Sequence, residues 1–240
     1  MYSLEGTGAD LKIGAILRPF EESPFRIGLA IHTPTFYDLS ESYNATLTTD
    51  IYYYEDSYKQ TLSDCLDPSY LNYDYRLRTP WKFNVSAGTT FSGLVAVGAE
   101  YEYQNYKSAK MEDMDGFTLG GESSIKNNLN GVHTLRMGME ARIAPQFSLR
   151  AGYNYSSSAY KKGSYRVLPI YGTQTEYNNT QSLNTFTFGL GYRGSVIYAD
   201  MAYKYDMYKS DFYPFDDIDL PATKVDNSRH QLLFTLGAQF

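Results

Sequence analysis

The sequence predicts an all-β fold, an antiparallel β-barrel whose strands cross a membrane. Along nine segments of the 240-residue chain, apolar residues alternate with polar ones, so each predicted strand has one apolar and one polar face. The connections alternate between short turns and long polar loops, as they do in bacterial outer-membrane barrels. The polar faces carry so many charges that they must be wet, and the apolar faces therefore lie outside, against lipid.

The composition agrees with this prediction and excludes several others. Charged residues make up 20% of the chain, and no apolar run is long enough for a membrane-spanning helix. The 25 tyrosines and 13 phenylalanines suit the aromatic girdles of membrane interfaces. A net charge of −6 without a basic patch argues against nucleic acid as a partner. The single cysteine, Cys65, cannot form an intrachain disulfide.

The first four strands come in two pairs. They are predicted over residues 9–19, 25–37, 71–91 and 94–107, with turns at 21–24 and 92–93 and polar loops at 38–70 and 108–130. The apolar faces of the first pair carry Leu11, Ile13, Ala15, Leu17, Ile27, Leu29 and Ile31. Pro80 removes one N–H from the third strand, so we expect a kink or a broken hydrogen bond there.

Five further strands complete the series. They are predicted over residues 131–143, 147–160, 182–193, 196–209 and 229–240, with turns at 144–146 and 194–195 and polar loops at 161–181 and 210–227. The last strand ends on Phe240, which we expect at the periplasmic interface of a Gram-negative outer membrane, where the barrel-assembly machinery recognises it. Counting back nine strands places Met1 outside the cell. Complete bacterial barrels have an even strand number, so residues 1–240 are predicted to be a barrel domain that lacks upstream strands.

Several segments, in order, resemble the FadL family of outer-membrane transporters for hydrophobic compounds. They are residues 14–19 (GAILRP), 26–34 (RIGLAIHTP), 79–88 (TPWKFNVSAG) and 149–153 (LRAGY), with the terminal Phe240. The resemblance implies a 14-stranded barrel with an N-terminal hatch, of which this chain would hold the last nine strands. It implies that ligands such as long-chain fatty acids land between extracellular loops, reach a site in the lumen and leave through the wall. Some members bear a haemin-receptor label, for which His32 would be the lumen-facing axial candidate.

Candidate ligand-binding residues follow from the predicted faces. The inward cations Arg136, Arg150 and Lys204 could bind a carboxylate head group, although a self-neutralising ladder of Arg and Glu that fills the lumen is the favoured alternative. In the long loop, aromatic side chains could form an apolar capture groove or pack the loop upon itself. These are Tyr52, Tyr53, Tyr54 and Tyr58.

No motif indicates an enzyme, a metal site or a cofactor. The three histidines, His32, His133 and His230, lie on separate predicted strands and favour structural roles. The pattern Gly189-x-Gly191-x-x-Gly194 lies within a strand and precedes another strand, so a nucleotide-binding turn is not expected. There the glycines are predicted to relieve crowding in the lumen or to ease strand curvature. No nucleophile-elbow or triad signature is present.

Two other functions remain open from the sequence. One is a general porin or structural barrel without a specific ligand. The other is a soluble or surface-attached β-sheet interaction module, which would not need detergent to stay monodisperse.

Overall fold

A computed structural model describes most of the chain. The described residues are 2–43, 46–53, 58–65, 72–119, 122–162, 164, 177–214 and 221–238. Their strands are β1 (Tyr2–Ala9), β2 (Lys12–Leu17), β3 (Arg26–His32), β4 (Phe36–Tyr43), β5 (Thr46–Tyr53), β6 (Tyr58–Cys65), β7 (Asn72–Arg78), β8 (Lys82–Phe91), β9 (Val95–Asn105), β10 (Lys110–Asp113), β11 (Gly131–Ala144), β12 (Phe147–Ser156), β13 (Tyr177–Arg193), β14 (Ile197–Tyr213) and β15 (Thr223–Ala238). A 3-10 turn at Tyr106–Ser108 and the helix α1 (Glu122–Asn128) complete the elements. No helix among the described residues is long and apolar enough to cross a membrane.

The predicted all-β, antiparallel fold is confirmed. Nine strands form one antiparallel sheet in the order β15-β14-β13-β12-β11-β9-β8-β3-β2, and they correspond one to one with the nine predicted strands. Short turns join β2 to β3, β8 to β9, β11 to β12 and β13 to β14. Within the described residues the sheet does not close on itself, because β2 and β15 are its two edges.

A four-stranded sheet in the order β1-β4-β7-β10 extends the same chain segments beyond the nine-stranded sheet. Each of its strands directly precedes or follows one of β2, β3, β8 and β9 in the sequence. Pro80 lies in the gap between β7 and β8, so the predicted interruption is confirmed. Because proline lacks the N–H that a ladder needs, the pairing ends there and restarts in the second sheet.

Threonines hold the junction between the two sheets. The Leu11 backbone N–H donates to Thr33 Oγ1 over 2.9 Å, and the Thr35 N–H donates to Thr79 Oγ1 over 2.8 Å. The Thr79 N–H in turn donates to the Thr35 carbonyl oxygen over 3.1 Å. Backbone groups that lose their ladder partners at the breaks are therefore satisfied by neighbouring side chains and carbonyls.

Several predicted loops were wrong, because they contain strands. The segment 38–70 holds most of β4 and the hairpin β5–β6, the segment 108–130 holds β10 and α1, and β13, β14 and β15 extend into the segments 161–181 and 210–227. These strands lack one continuous apolar face, which was the signal used to predict strands. Their tyrosine, threonine and isoleucine residues nevertheless favour extended backbone.

The apolar residues of the nine-stranded sheet lie on its exposed surface. Phe188 is 59% exposed, Phe234 71% and Leu236 79%. Among the described residues the one buried large apolar side chain is Tyr75, in the four-stranded sheet. A water-soluble domain would bury such residues in a core, so this surface needs an apolar environment outside the chain.

Candidate functional site

The opposite surface of the nine-stranded sheet is polar, and we call it the charged face. It carries the side chains that alternate with the exposed apolar residues, since neighbouring residues on a strand point to opposite faces. In register across the strands, Glu100 pairs with Arg136, Arg136 with Asn154, Asn154 with Thr185 and Thr185 with Asp206. Polar residues on five neighbouring strands therefore form one transverse row.

A cavity of about 600 Å³ lies on the charged face, within the size range of small-molecule pockets. Its lining comes from β8, β9 and β11 to β14 and includes Lys82, Glu102, Thr134, Arg136, Asn154 and Lys204. Tyr106, in the turn after β9, also lines it. Burial, together with the negative charge of Glu102, raises the pKa of the Tyr106 phenol, so this hydroxyl stays protonated at neutral pH.

The first charge cluster surrounds Arg136. Its guanidinium Nη1 donates to Glu100 and, over 3.1 Å, to Glu102. Lys82 Nζ lies 3.7 Å from Glu102, and Asn84 Nδ2 donates to Glu100 over 3.2 Å and to Glu102 over 3.0 Å. The two carboxylates are thus shared between two cations and an amide, which offsets the cost of removing them from water.

The second charge cluster surrounds Arg150. Its Nε donates to Glu140 over 2.8 Å and its Nη1 to Asp200 over 2.6 Å. A Cβ at Gly191 would lie 2.7 Å from Asp200 Oδ1 and 3.0 Å from Arg150 Nη1. Gly191 therefore leaves the space that this ion pair occupies, which confirms at this position that strand glycines relieve crowding on the charged face.

A row of glycines separates the two charge clusters. Gly88, Gly98, Gly138 and Gly152 are paired in register across β8, β9, β11 and β12. A Cβ at Gly98 or Gly138 would meet only a backbone oxygen, at 3.7 and 3.9 Å respectively. No described side chain comes within 4 Å of a Cβ at either position, whereas the Thr187 side chain occupies the corresponding space at Gly152. Gly98 and Gly138 therefore leave a short strip of bare backbone between the clusters.

A crystal structure of a Pseudomonas aeruginosa FadL homologue resembles this fold. The match has a TM-score of 0.50 at 11% identity and covers 98% of this chain and 67% of that chain. The chain has a FadL-like fold. No family model and no curated protein matches the sequence, so the likeness concerns the fold alone.

In this FadL-like fold, the three predicted cations all lie on the charged face and all have carboxylate partners. Arg136 and Lys204 line the cavity, whereas Arg150 belongs to the second charge cluster. Lys204 Nζ lies 2.9 Å from Asp206, whose other oxygen accepts from Thr185 Oγ1 over 2.6 Å. The structure therefore brings two of the three together at one cavity, and their binding of a ligand carboxylate stays a prediction.

The predicted tyrosine groove falls in the hairpin β5–β6. Tyr52 and Tyr53 are in β5 and Tyr58 is in β6, where Tyr53 pairs with Tyr58. Tyr54 lies outside the described residues. The groove stays a prediction. Likewise, Phe240 lies outside the described residues, and so do its predicted interactions.

Two asparagines that could contact a ligand were not among the residues predicted from the sequence. Asn84 Oδ1 and Asn154 Oδ1 are buried and have no hydrogen-bond partner among the described residues. Asn154 lines the cavity, so its free acceptor suits a ligand that carries a hydroxyl or another donor. Alternation did place both residues on the polar face, but only the folded contacts show that an acceptor is left over.

The histidines do not form a joint site in the structure. His32 is opposite Lys12 and Lys82 in the register of the sheet, on the charged face. Within the described part of the chain, no three His, Cys, Asp or Glu residues form a group that could hold a metal ion. Gly189 and Gly191 lie in β13, which pairs with strands on both sides, and Gly194 lies in the short turn before β14. This differs from the strand–turn–helix of a nucleotide-binding motif.

Proposed function

We propose that this chain is part of a channel in the outer membrane of a Gram-negative bacterium, which takes up hydrophobic small molecules such as long-chain fatty acids. One observation carries the proposal. A single antiparallel sheet exposes an unbroken apolar surface on one side and a charged, cavity-bearing surface on the other. An apolar exterior with a wet interior is the arrangement of membrane barrels, whereas soluble barrels reverse it.

The proposed mechanism is binding followed by diffusion, with no covalent step and no cofactor. A fatty-acid carboxylate entering the cavity would compete with Glu102 for Arg136 and with Asp206 for Lys204. The acyl chain would lie along the bare backbone at Gly98 and Gly138, where no side chain obstructs it. The tyrosines of β5 and β6 would capture the ligand outside the membrane. Upstream strands and a hatch would close the barrel, and the ligand would leave through its wall.

A general porin is the second candidate. The observation that favours it is the neutralisation of the cations Arg136, Arg150 and Lys204 by carboxylates of the same sheet. A wet pore lining of paired charges needs no specific ligand. Passage of small hydrophilic solutes at rates that match fatty-acid uptake would favour this candidate over the transporter.

Uptake by cells tests the proposal. Cells that express the complete reading frame should accumulate labelled long-chain fatty acid above the empty-vector level. Gly138→Leu should reduce uptake several-fold, because its side chain fills the strip of bare backbone. Met139→Leu, one residue along but on the apolar face, is the matched control and should leave uptake unchanged.

Two results would contradict the proposal. Uptake equal to the empty vector would exclude the transporter, and equal losses from Gly138→Leu and Met139→Leu would exclude the charged face as the route. A chain that stays monodisperse without detergent would instead support a soluble β-sheet interaction module.

A further inference from the structure

The same seven-residue pattern occurs twice in the sequence. Residues 101–107 and 203–209 both read Tyr-x-Tyr-x-x-Tyr-Lys. The first copy runs from β9 into the following turn, and the second lies within β14. In each copy the first two tyrosines point to the apolar face, because each is an even number of residues away from the exposed apolar residues on the same strand.

In the first copy a histidine from the neighbouring strand joins the two tyrosines. His133 of β11 is directly opposite Tyr103, and the centroids of the two rings are 4.9 Å apart. The hydroxyl of Tyr101 is 2.6 Å from His133 Nδ1. Lys107 follows four residues after Tyr103 and is exposed.

The second copy repeats these tyrosine–histidine contacts. His230 of β15 is directly opposite Tyr205, with ring centroids 4.5 Å apart, and the hydroxyl of Tyr203 is 2.7 Å from His230 Nδ1. Lys209 follows four residues after Tyr205 and lies 3.6 Å from Asp226, with both side chains more than three-quarters exposed. An ion pair so exposed contributes little, so Lys209 can exchange its partner. We call the two groups the Tyr–His–Lys clusters.

Both clusters lie at the same level of the sheet. Tyr103 is eight residues from Val95, the first residue of β9, and Tyr205 is eight residues from Ile197, the first residue of β14. At about 3.3 Å per residue, this is roughly 26 Å along the strand, or about 20 Å of vertical height for strands inclined by about 40°. The apolar band of a membrane barrel is about 25 Å tall, so this level lies near its upper edge. The clusters therefore mark the boundary of the apolar face on the side of the long connections.

The chemistry of the clusters fits an anionic acceptor. When the tyrosine hydroxyl donates to Nδ1, the neutral imidazole carries its proton on Nε2, which is then a free donor. His133 and His230 are both exposed, and each has a lysine beyond it, away from the apolar band. A hydrogen-bond donor at the edge of an apolar surface, followed by a cation, is complementary to a phosphorylated head group on an acyl chain.

We propose that the two Tyr–His–Lys clusters bind the phosphorylated head groups of lipids in the outer leaflet, one lipid at each cluster. The proposal rests on the membrane placement that the proposed function requires. It commits to lipid because the clusters border an apolar surface that acyl chains would cover. The two clusters are four strands apart in the sheet, so each can bind a separate lipid.

Retention of lipid by the full chain tests this proposal. The protein is reconstituted in phosphatidylcholine bilayers that contain a bisphosphorylated glycolipid, then transferred to detergent, and the retained glycolipid is counted by native mass spectrometry. The double variant His133→Phe/His230→Phe keeps the rings but removes the donors, and we expect about a tenfold loss of retained glycolipid, equivalent to about 1.4 kcal/mol. Tyr155→Phe, which faces the same side eight residues from the start of β12, is the control and should retain as much as the parent.

A second variant and the intrinsic tryptophan fluorescence distinguish failure of the head-group proposal from failure of the membrane placement. Lys107→Gln/Lys209→Gln leaves all rings in place and should lower retention several-fold. The single tryptophan, Trp81, is 46% exposed next to Phe83. It lies ten residues from Phe91, the turn-side end of β8, which places it at the membrane interface, where tryptophan is favoured, so its emission should shift to the blue in bilayers. Emission typical of water would overturn the membrane placement itself. Two results would overturn the head-group proposal alone. One is a shifted emission together with unchanged glycolipid retention in both double variants. The other is equal retention of a dephosphorylated glycolipid.

Discussion

The nine-stranded and four-stranded sheets are built from neighbouring parts of the same chain segments, but they differ in where their apolar and charged residues lie. In the nine-stranded sheet one face is apolar and exposed across all nine strands, as at Phe188 and Leu236. In the four-stranded sheet, by contrast, exposed charges such as Asp38 and Arg76 pair across strands. Under the proposed function, this difference means that a continuous apolar face is needed only where lipid replaces water. Elsewhere the backbone ladder and cross-strand pairs suffice to define a strand.

The largest expected effect is a charge on the apolar face. Phe188 lies in the middle of the apolar part of β13, and Phe188→Arg should lower the free energy of unfolding from phospholipid vesicles by about 2–4 kcal/mol. Phe36→Arg, at a residue of the four-stranded sheet that is 56% exposed, should change it by less than about 0.5 kcal/mol. Denaturant titration measures both, and equal losses would break the distinction between the sheets.

Replacing a glycine by alanine should lower stability by an intermediate amount, and the loss should differ between the two sheets. A Cβ at Gly6 in β1 would overlap the carbonyl oxygen of Asp38, which is backbone and cannot rotate away. Gly6→Ala should therefore destabilise the four-stranded sheet by about 1–3 kcal/mol. Gly98→Ala, whose Cβ meets nothing closer than 3.7 Å, should be nearly neutral. Hydrogen exchange of β1 and β4 amides resolves the local loss, and unchanged protection in Gly6→Ala would contradict the overlap.

The smallest expected loss of stability comes from removing an arginine that forms ion pairs. Arg150→Met should cost about 1 kcal/mol, because it leaves Glu140 and Asp200 without the cation that both contact. Arg76→Met removes a single pair, 3.4 Å from Asp38 and well exposed, and should cost less than about 0.5 kcal/mol. The same unfolding titration compares them. A cost for Arg76→Met as large as that for Arg150→Met would show that the shared ion pairs of the charged face stabilise no more than a single exposed pair in the four-stranded sheet.

Alternation alone was enough to predict the nine-stranded sheet. Runs such as Leu135, Met137 and Met139 repeat every second residue and share one face in the structure. β1, β4, β5, β6 and β10 escaped prediction because neither set of alternate residues in their sequences is continuously apolar. Such strands are specified by pairing with other strands rather than by contact with an apolar environment.

The candidate site was predictable only as far as the faces of strands. Parity placed Arg136 and Lys204 on the charged face, and both line the cavity. The partners of Arg136, however, are 34 and 36 residues away in the sequence, and they meet it only because β9 and β11 pair in one particular register. The favoured ladder of paired Arg and Glu side chains is present on this face. Register across a long connection does not follow from local pattern, however, so neither the particular partners of each arginine nor the free acceptor of Asn154 could be predicted.

The stagger between strands sets the angle at which they would cross the membrane in the proposed function. Starting at Ile27, beside the turn between β2 and β3, a line of paired residues runs across the sheet and reaches Tyr205 six strands further on. Tyr205 is by then eight residues from the turn-side end of β14, so each strand is offset from the last by slightly more than one residue. With about 3.3 Å per residue and about 4.8 Å between strands, that offset inclines the strands by roughly 40°. The inclination reduces the 26 Å path from Ile197 to Tyr205 to a vertical height of about 20 Å, which suits a thin bilayer.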